Sequence, residues 1–281
     1  MQSNDIGFSM STAYRHIEKG QLSICNIDLP RKVKFKPRKK KPIDSIPKAA
    51  KVGRSHNDFR AYIDENNITD WVEMDTVLGT QGGKAILTIH FTHTNFMFGL
   101  LLDNLTAAES ADKIRTLKKT LLGMGIRFGE RCPIILTDNG GEFAHVHAFT
   151  DCPDGSPETM LFFCDPYCSS QKARVEKNHT LLRDIVPKGE SFDLFTQGIV
   201  NIIFSHVNSV KRDKLGGKSP YESFVYFFGD AFPSAIGITE IPPNEVIQHP
   251  RLLRLLIKQP PAATRPTNVA GQHDNRGCRH E

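Results

Sequence analysis

Trp71-Val-Glu-Met-Asp75-Thr-Val-Leu78 and Ile134-Ile-Leu-Thr-Asp138-Asn-Gly-Gly-Glu142-Phe143 are the two stretches whose reading decides the fold. Apolar and β-branched residues predict a strand over about 70–78 that carries Asp75, and a strand over 133–137 that ends on Asp138. A third acid, Glu176 in Gln171-Lys-Ala-Arg-Val-Glu176-Lys-Asn-His179, falls early in a helix expected over about 172–185. Carboxylates are hard oxygen ligands, suited to Mg²⁺ or Mn²⁺ and not to zinc. Two such ions roughly 4 Å apart can activate an attacking oxygen and stabilise a leaving one. Asp75, Asp138 and Glu176 are therefore the candidate catalytic and metal-binding residues, with two Mg²⁺ or Mn²⁺ ions as cofactor. Taken singly each acid has a plainer reading: Asp138-Asn-Gly makes a tight turn, and Glu176 makes a helix surface charge. The three in this order of strand, strand end and helix favour phosphoryl transfer on nucleic acid.

Outward from these stretches the pattern is regular. The Gly-rich turn 79–83 leads to a strand over 85–92, and a further strand follows over 95–102. These three look like an antiparallel meander. Thr106-Ala-Ala-Glu109 is a capping box opening a helix to about Leu122. A strand over 160–164 and helices over 172–185, 196–210 and from Ser219-Pro220 follow. The order β-β-β-α-β-α-β-α implies a mixed sheet flanked by helices, an α/β fold. Asp138 would then sit at a strand end, where ligand sites of such sheets gather.

The chain has 281 residues, enough for one sizeable domain with appendages. No apolar run has the length of a membrane span, and no secretory leader is evident, so a cytoplasmic, nucleoid-associated protein is expected. Six cysteines lie scattered without a CxxC pair. A zinc set drawn from His145, His147, Cys152, Cys164 and Cys168 fits no common spacing. Residues 1–60 carry 14 Lys/Arg and 5 Asp/Glu, a balance of +9, which leaves −4 of the net +5 for the rest. Such an arm suits a polyanion. Residues 30–42 hold eight basic residues and three prolines, an extended linker able to track phosphates. Before it, residues 9–19 form a short helix, capped by Ser11 or Thr12 and ended by Gly20, like the second helix of a helix-turn-helix. About ten residues precede it, too few for the supporting helices, so a truncated remnant is expected. The domain boundaries read as 1–29 for the remnant, 30–54 for the linker, 55–230 for the core, 231–257 for a small segment and 258–281 for a disordered tail. Candidate DNA contacts are Tyr14, Arg15, Lys36, Arg38, Lys39, Lys40, Lys172, His179 and Arg183. His179 and Arg183 lie three and seven residues after Glu176, on the same side of its helix.

Several motifs in fixed order resemble those of DDE transposases and retroviral-type integrases, and more narrowly the bacterial insertion-sequence-thirty family. They are the basic run from Arg31, Met74-Asp75-Thr-Val with its Gly-rich turn, Leu136-Thr-Asp138-Asn-Gly-Gly-Glu142-Phe, Cys164-Asp-Pro-Tyr167, Val175-Glu176-Lys-Asn178-His179, Pro187-Lys-Gly189 and Lys218-Ser-Pro220-Tyr221. The resemblance spans about 9–250. It implies an RNase H-like core with a five-stranded sheet. It also implies a metal-dependent transposase that cuts at the terminal inverted repeats of an insertion element and joins the freed 3′-OH to target DNA, acting as a homo-oligomer on DNA. Asp75 would touch both ions, with Asp138 and Glu176 each completing one. Ser170 stands where relatives tend to carry an aromatic and Ala173 where they tend to carry glycine. An inactive copy, an RNase H-like nuclease without strand transfer and a non-catalytic DNA-binding repressor are the alternatives.

Overall fold

Five strands form one sheet in the order β3-β2-β1-β4-β5: β1 (Val72–Leu78), β2 (Ala85–Phe91), β3 (Met97–Leu102), β4 (Ile134–Thr137) and β5 (Met160–Phe163). The computed structural model describes residues 7, 9–24, 46–166 and 168–258, in two units, Met1–Ile43 and Asp44–Glu281. The first three strands pair antiparallel, while β4 runs parallel to both β1 and β5. This is the mixed, helix-flanked sheet expected.

The helices of the second unit are α2 (His56–Glu65), α3 (Ala107–Gly123), α4 (Phe128–Arg131), α5 (Val146–Thr150), α6 (Ala173–Ile185), α7 (Gln197–Ser209), α8 (Pro220–Phe228), α9 (Ala231–Ala235) and α10 (Arg251–Lys258); α1 (Met10–Glu18) belongs to the first unit. Register decides which residues share a face. Asp75 lies opposite Thr88 and Glu73 opposite His90, while Glu73 also pairs with Leu136 of β4. Side chains alternate along a strand, so Glu73, Asp75, Thr88, His90 and Leu136 point to one face. Helices α2, α6 and α7 cover that face, with Phe59 and Ile63 of α2 packed on Leu136, Phe162 and Cys164. Helix α7 comes so close that a Cβ at Gly99 would lie 2.5 Å from the Phe204 ring. Helices α3 and α5 back the other face with Ala111, Ile114, Leu117 and Phe149.

Three expectations need correction. The described end of the linker, 46–54, packs in the second unit: Ile46 is buried, and the Lys51 ammonium donates to Asn139. Residues 231–257 are no separate segment, because Phe232, Ile238, Leu252 and Leu253 join the same core. The third concerns α1, the one helix among the described residues of the first unit. That helix is capped by Ser9 rather than Ser11 or Thr12. It closes as expected on left-handed Gly20, with the amides of Gly20 and Gln21 returning to Ile17 and His16. Tyr14 and Arg15 are exposed on it. Lys36, Arg38, Lys39, Lys40 and the tail from 259 lie outside the described residues.

Candidate active site

Two of the three predicted acids converge on a cation. Asp75 sits in the middle of β1 and Asp138 just past β4, the strand beside it. The Lys172 ammonium lies 3.1 Å from Asp75 Oδ1 and 3.7 Å from Asp138 Oδ2. It also donates to the Met74 carbonyl at 3.2 Å, and its side chain is buried. Each aspartate is tied locally. Asp75 Oδ1 accepts from the Thr76 amide at 2.9 Å, and Asp138 Oδ1 accepts from the Gly140 amide at 3.0 Å, the turn bond that Asp-Asn-Gly favours. Lys172 was expected to hold DNA phosphate; here it pairs with the aspartates, because the loop before α6 turns inward and a buried ammonium needs anions.

His179 also faces Asp75, with Nδ1 3.7 Å from Oδ2, while its Nε2 lies 2.9 Å from the Thr88 hydroxyl. Burial holds this imidazole down at about 4 against the pull of Asp75, so it is neutral at pH 7. It touches Asp75 rather than Glu176. Arg183, on the same stripe, donates to the Leu78 carbonyl at 3.0 Å.

Glu176 is exposed on α6. Among the described residues no three His, Cys, Asp or Glu side chains gather as a metal-binding group. The carboxyl whose charge is felt with those of Asp75 and Asp138 is Glu142. Burial raises it above the ordinary carboxyl range, the Thr76 hydroxyl at 2.7 Å holds it down in part, and the two aspartates push it further up. The donor set thus fits a divalent ion at its two aspartates: hard oxygens from adjacent strands already share one positive charge. The third ligand is not gathered.

Sequence reasoning missed three supports. Glu73 accepts the Val175 amide at 2.7 Å and the Trp71 indole at 3.3 Å, tying the first turn of α6 to β1. Burial raises its carboxyl pKa. Asn139 bridges Lys51 and the Cys164 carbonyl. Gln171 pairs with Asp165 through its amide at 2.8 Å, closing the loop into α6. Alternation placed Glu73 on the face of Asp75, but only the register to β2 and the docking of α6 reveal its partner.

No family model matches the chain. It is 29% identical over 183 residues to ORF3 of Spiroplasma virus SpV1-R8A2 B, which carries the name integrase, covering 62% of this chain and 53% of that protein. Over 160 residues it is 28% identical to the transposase for insertion sequence element IS4351 of Bacteroides fragilis, covering 54% and 44% respectively. A Streptococcus salivarius protein named as a transposase for insertion-like sequence element IS1161 is 27% identical over 222 residues, 77% of this chain and 58% of that one. Among solved structures, the catalytic core domain of BIV integrase aligns with a TM-score of 0.39 at 20% identity, over 56% of this chain and 94% of that domain. The chain spans about half the length of the curated relatives it matches. Its similarity is to insertion-element transposases and a viral integrase.

Proposed function

We propose that this chain carries the catalytic core of a DNA transposase of the insertion-sequence-thirty kind, cutting at element ends and joining the freed 3′-OH to target DNA. The observation that carries the reading is the pair of aspartates from adjacent parallel strands closing on one cation. Asp75 and Asp138 would hold Mg²⁺ or Mn²⁺, with Glu176 of α6 completing a two-ion set. When bound, such ions make an attacking water or hydroxyl more acidic and offset charge on the leaving oxygen. The chain's own groups prepare the site. The Lys172 ammonium holds the two carboxylates together; with a metal ion bound there, the ammonium would be available to a phosphate. Neutral His179 packs beside the Asp75 carboxylate, held there by the bond between its Nε2 and the Thr88 hydroxyl. Glu73 anchors the turn that carries Glu176. Arg183, Tyr14, Arg15 and the basic run through Lys36, Arg38, Lys39 and Lys40 contact DNA, and a homo-oligomer brings two element ends together.

The test is a strand-transfer reaction with the full chain, Mg²⁺ and pre-cut duplexes taken from the inverted repeats beside its gene. Joined product is expected. Cleavage without joining would replace this reading with a nuclease, and neither product would refute it.

A further inference from the structure

On the other flank of α6 from His179, a cleft of about 840 Å³ opens between that helix, the β2–β3 turn and the loop after α7. Its volume is that of a pocket able to enclose a sizeable ligand. Arg174, Lys177, Arg212 and Lys214 line it, against the single carboxylate of Asp213. None of these four cations forms an ion pair among the described residues.

Two of the four are held in place. The Arg174 guanidinium lies over the Trp71 ring, 4.9 Å from its centre, on the indole that donates to Glu73. Arg212 donates through Nη1 to Asn178, whose amide nitrogen lies 2.6 Å from His90 Nε2. That chain runs from β2 through α6 to the loop after α7. The loop is pinned in turn, the Arg212 amide donating to the Lys218 carbonyl at 3.0 Å. Yet Nε and Nη2 of Arg212, the fork edge of the guanidinium, are buried and have no hydrogen-bond partner among the described residues. An unpaired buried donor is costly to keep, and these two leave the Arg212 charge uncompensated in the cleft wall.

We propose that this cleft is a second nucleic-acid groove, taking the phosphodiester backbone of DNA on the flank of α6 away from Asp75. This rests on the DNA reading above. Arg174 meets phosphate oxygens directly and Arg212 adds its charge from the cleft wall, while Lys177 and Lys214 neutralise the backbone at the rim. The groove adjoins the carboxylates through consecutive residues, since Lys172 contacts the aspartates and Ala173 lines the cleft. A strand passing over the first turn of α6 would therefore run from one into the other.

Fluorescence anisotropy over a KCl series tests it, using the full chain and a labelled duplex from the flanking repeats. Exposed Lys177 and Lys214 are both changed to glutamine, a pair chosen because neither side chain supports the core. The double variant should weaken binding about ten-fold and lower the slope of log affinity against log salt by about 1–2, at roughly 0.9 per phosphate contact. The control pair Arg60→Gln and Lys119→Gln, on other surfaces, should keep the slope. Equal slopes in wild type and the Lys177/Lys214 variant, or equal losses in the control, would overturn the groove alone. Failure of the wild type to bind DNA at all would overturn the transposase reading with it.

Discussion

At the scale of single residues, the histidines on the α6 face show how burial sets charge. His90 Nε2 lies 2.6 Å from the Asn178 amide nitrogen, which serves as donor when the ring is neutral, and Nδ1 is 3.9 Å from the buried Glu73. Burial, with the nearby charges of Arg212, His179 and Arg174, lowers its pKa from 6.5 to about 3. The unfolded chain therefore takes up a proton on this ring that the folded chain refuses. Stability is unaffected above pH 6.5 and falls on acidification toward about 3, by about 1.4 kcal/mol per pH unit from this ring alone. Glu73 acts in the opposite sense: its raised pKa costs stability as pH rises above the ordinary carboxyl value of 4.5. Urea unfolding of wild type and His90→Gln, compared between pH 7 and 4, should therefore differ by a slope that appears only below 6.5. A difference independent of pH would contradict the neutral-ring account. Asp75 and Asp138 were legible as candidates from their flanking residues. The cation between them was not, because Lys172 reads as a DNA contact until the loop before α6 is seen to fold inward.

At the scale of elements, strands and long helices were legible because their periodicity is strong. The expected helix over 172–185 is observed as Ala173–Ile185, and the strand over 133–137 as Ile134–Thr137. Caps were less legible. Thr106 accepts from the Glu109 amide as expected, but the Glu109 carboxylate reaches back to the amides of Asp103 and Asn104 instead of closing a box. Reciprocal boxes occur at Ser55–Asp58 and Ser219–Glu222. The short helices α4, α5 and α9 were missed, since four or five residues carry too little period to read. One of them is pinned by a buried charge. The Lys118 ammonium on α3 donates to the carbonyls of Phe149 and Asp151 at the end of α5, at 2.8 and 2.7 Å, with Glu158 at 3.1 Å. Burial lowers its pKa, and Glu158 offsets part of that. Lys118→Met should cost about 3–5 kcal/mol by leaving Glu158 buried and unpaired, and adding Glu158→Leu should recover much of the loss. Denaturant midpoints of the three proteins check this, and a near-neutral single variant would show that the pair is solvated.

At the scale of the whole molecule, the chain separates chemistry from charge. The first 60 residues are strongly basic while the rest carries a net negative balance, yet cations reappear around α6 at Lys172, Arg174, Lys177 and Arg183. That helix joins the two halves of the account, with the carboxylates along one flank and the proposed groove along the other. The mixed sheet that positions it follows from local pattern. The exposed placement of Glu176 on α6 does not, since it depends on how the loop before that helix folds inward with Lys172. The most direct measurement is Mn²⁺ binding to the full chain, followed by the loss of the free-ion electron paramagnetic resonance signal. Wild type should bind Mn²⁺ that Mg²⁺ competes away, Asp75→Asn should lose binding, and Glu176→Gln should weaken it while Glu142→Gln stays near wild type. Undiminished binding in Asp75→Asn would contradict the metal reading.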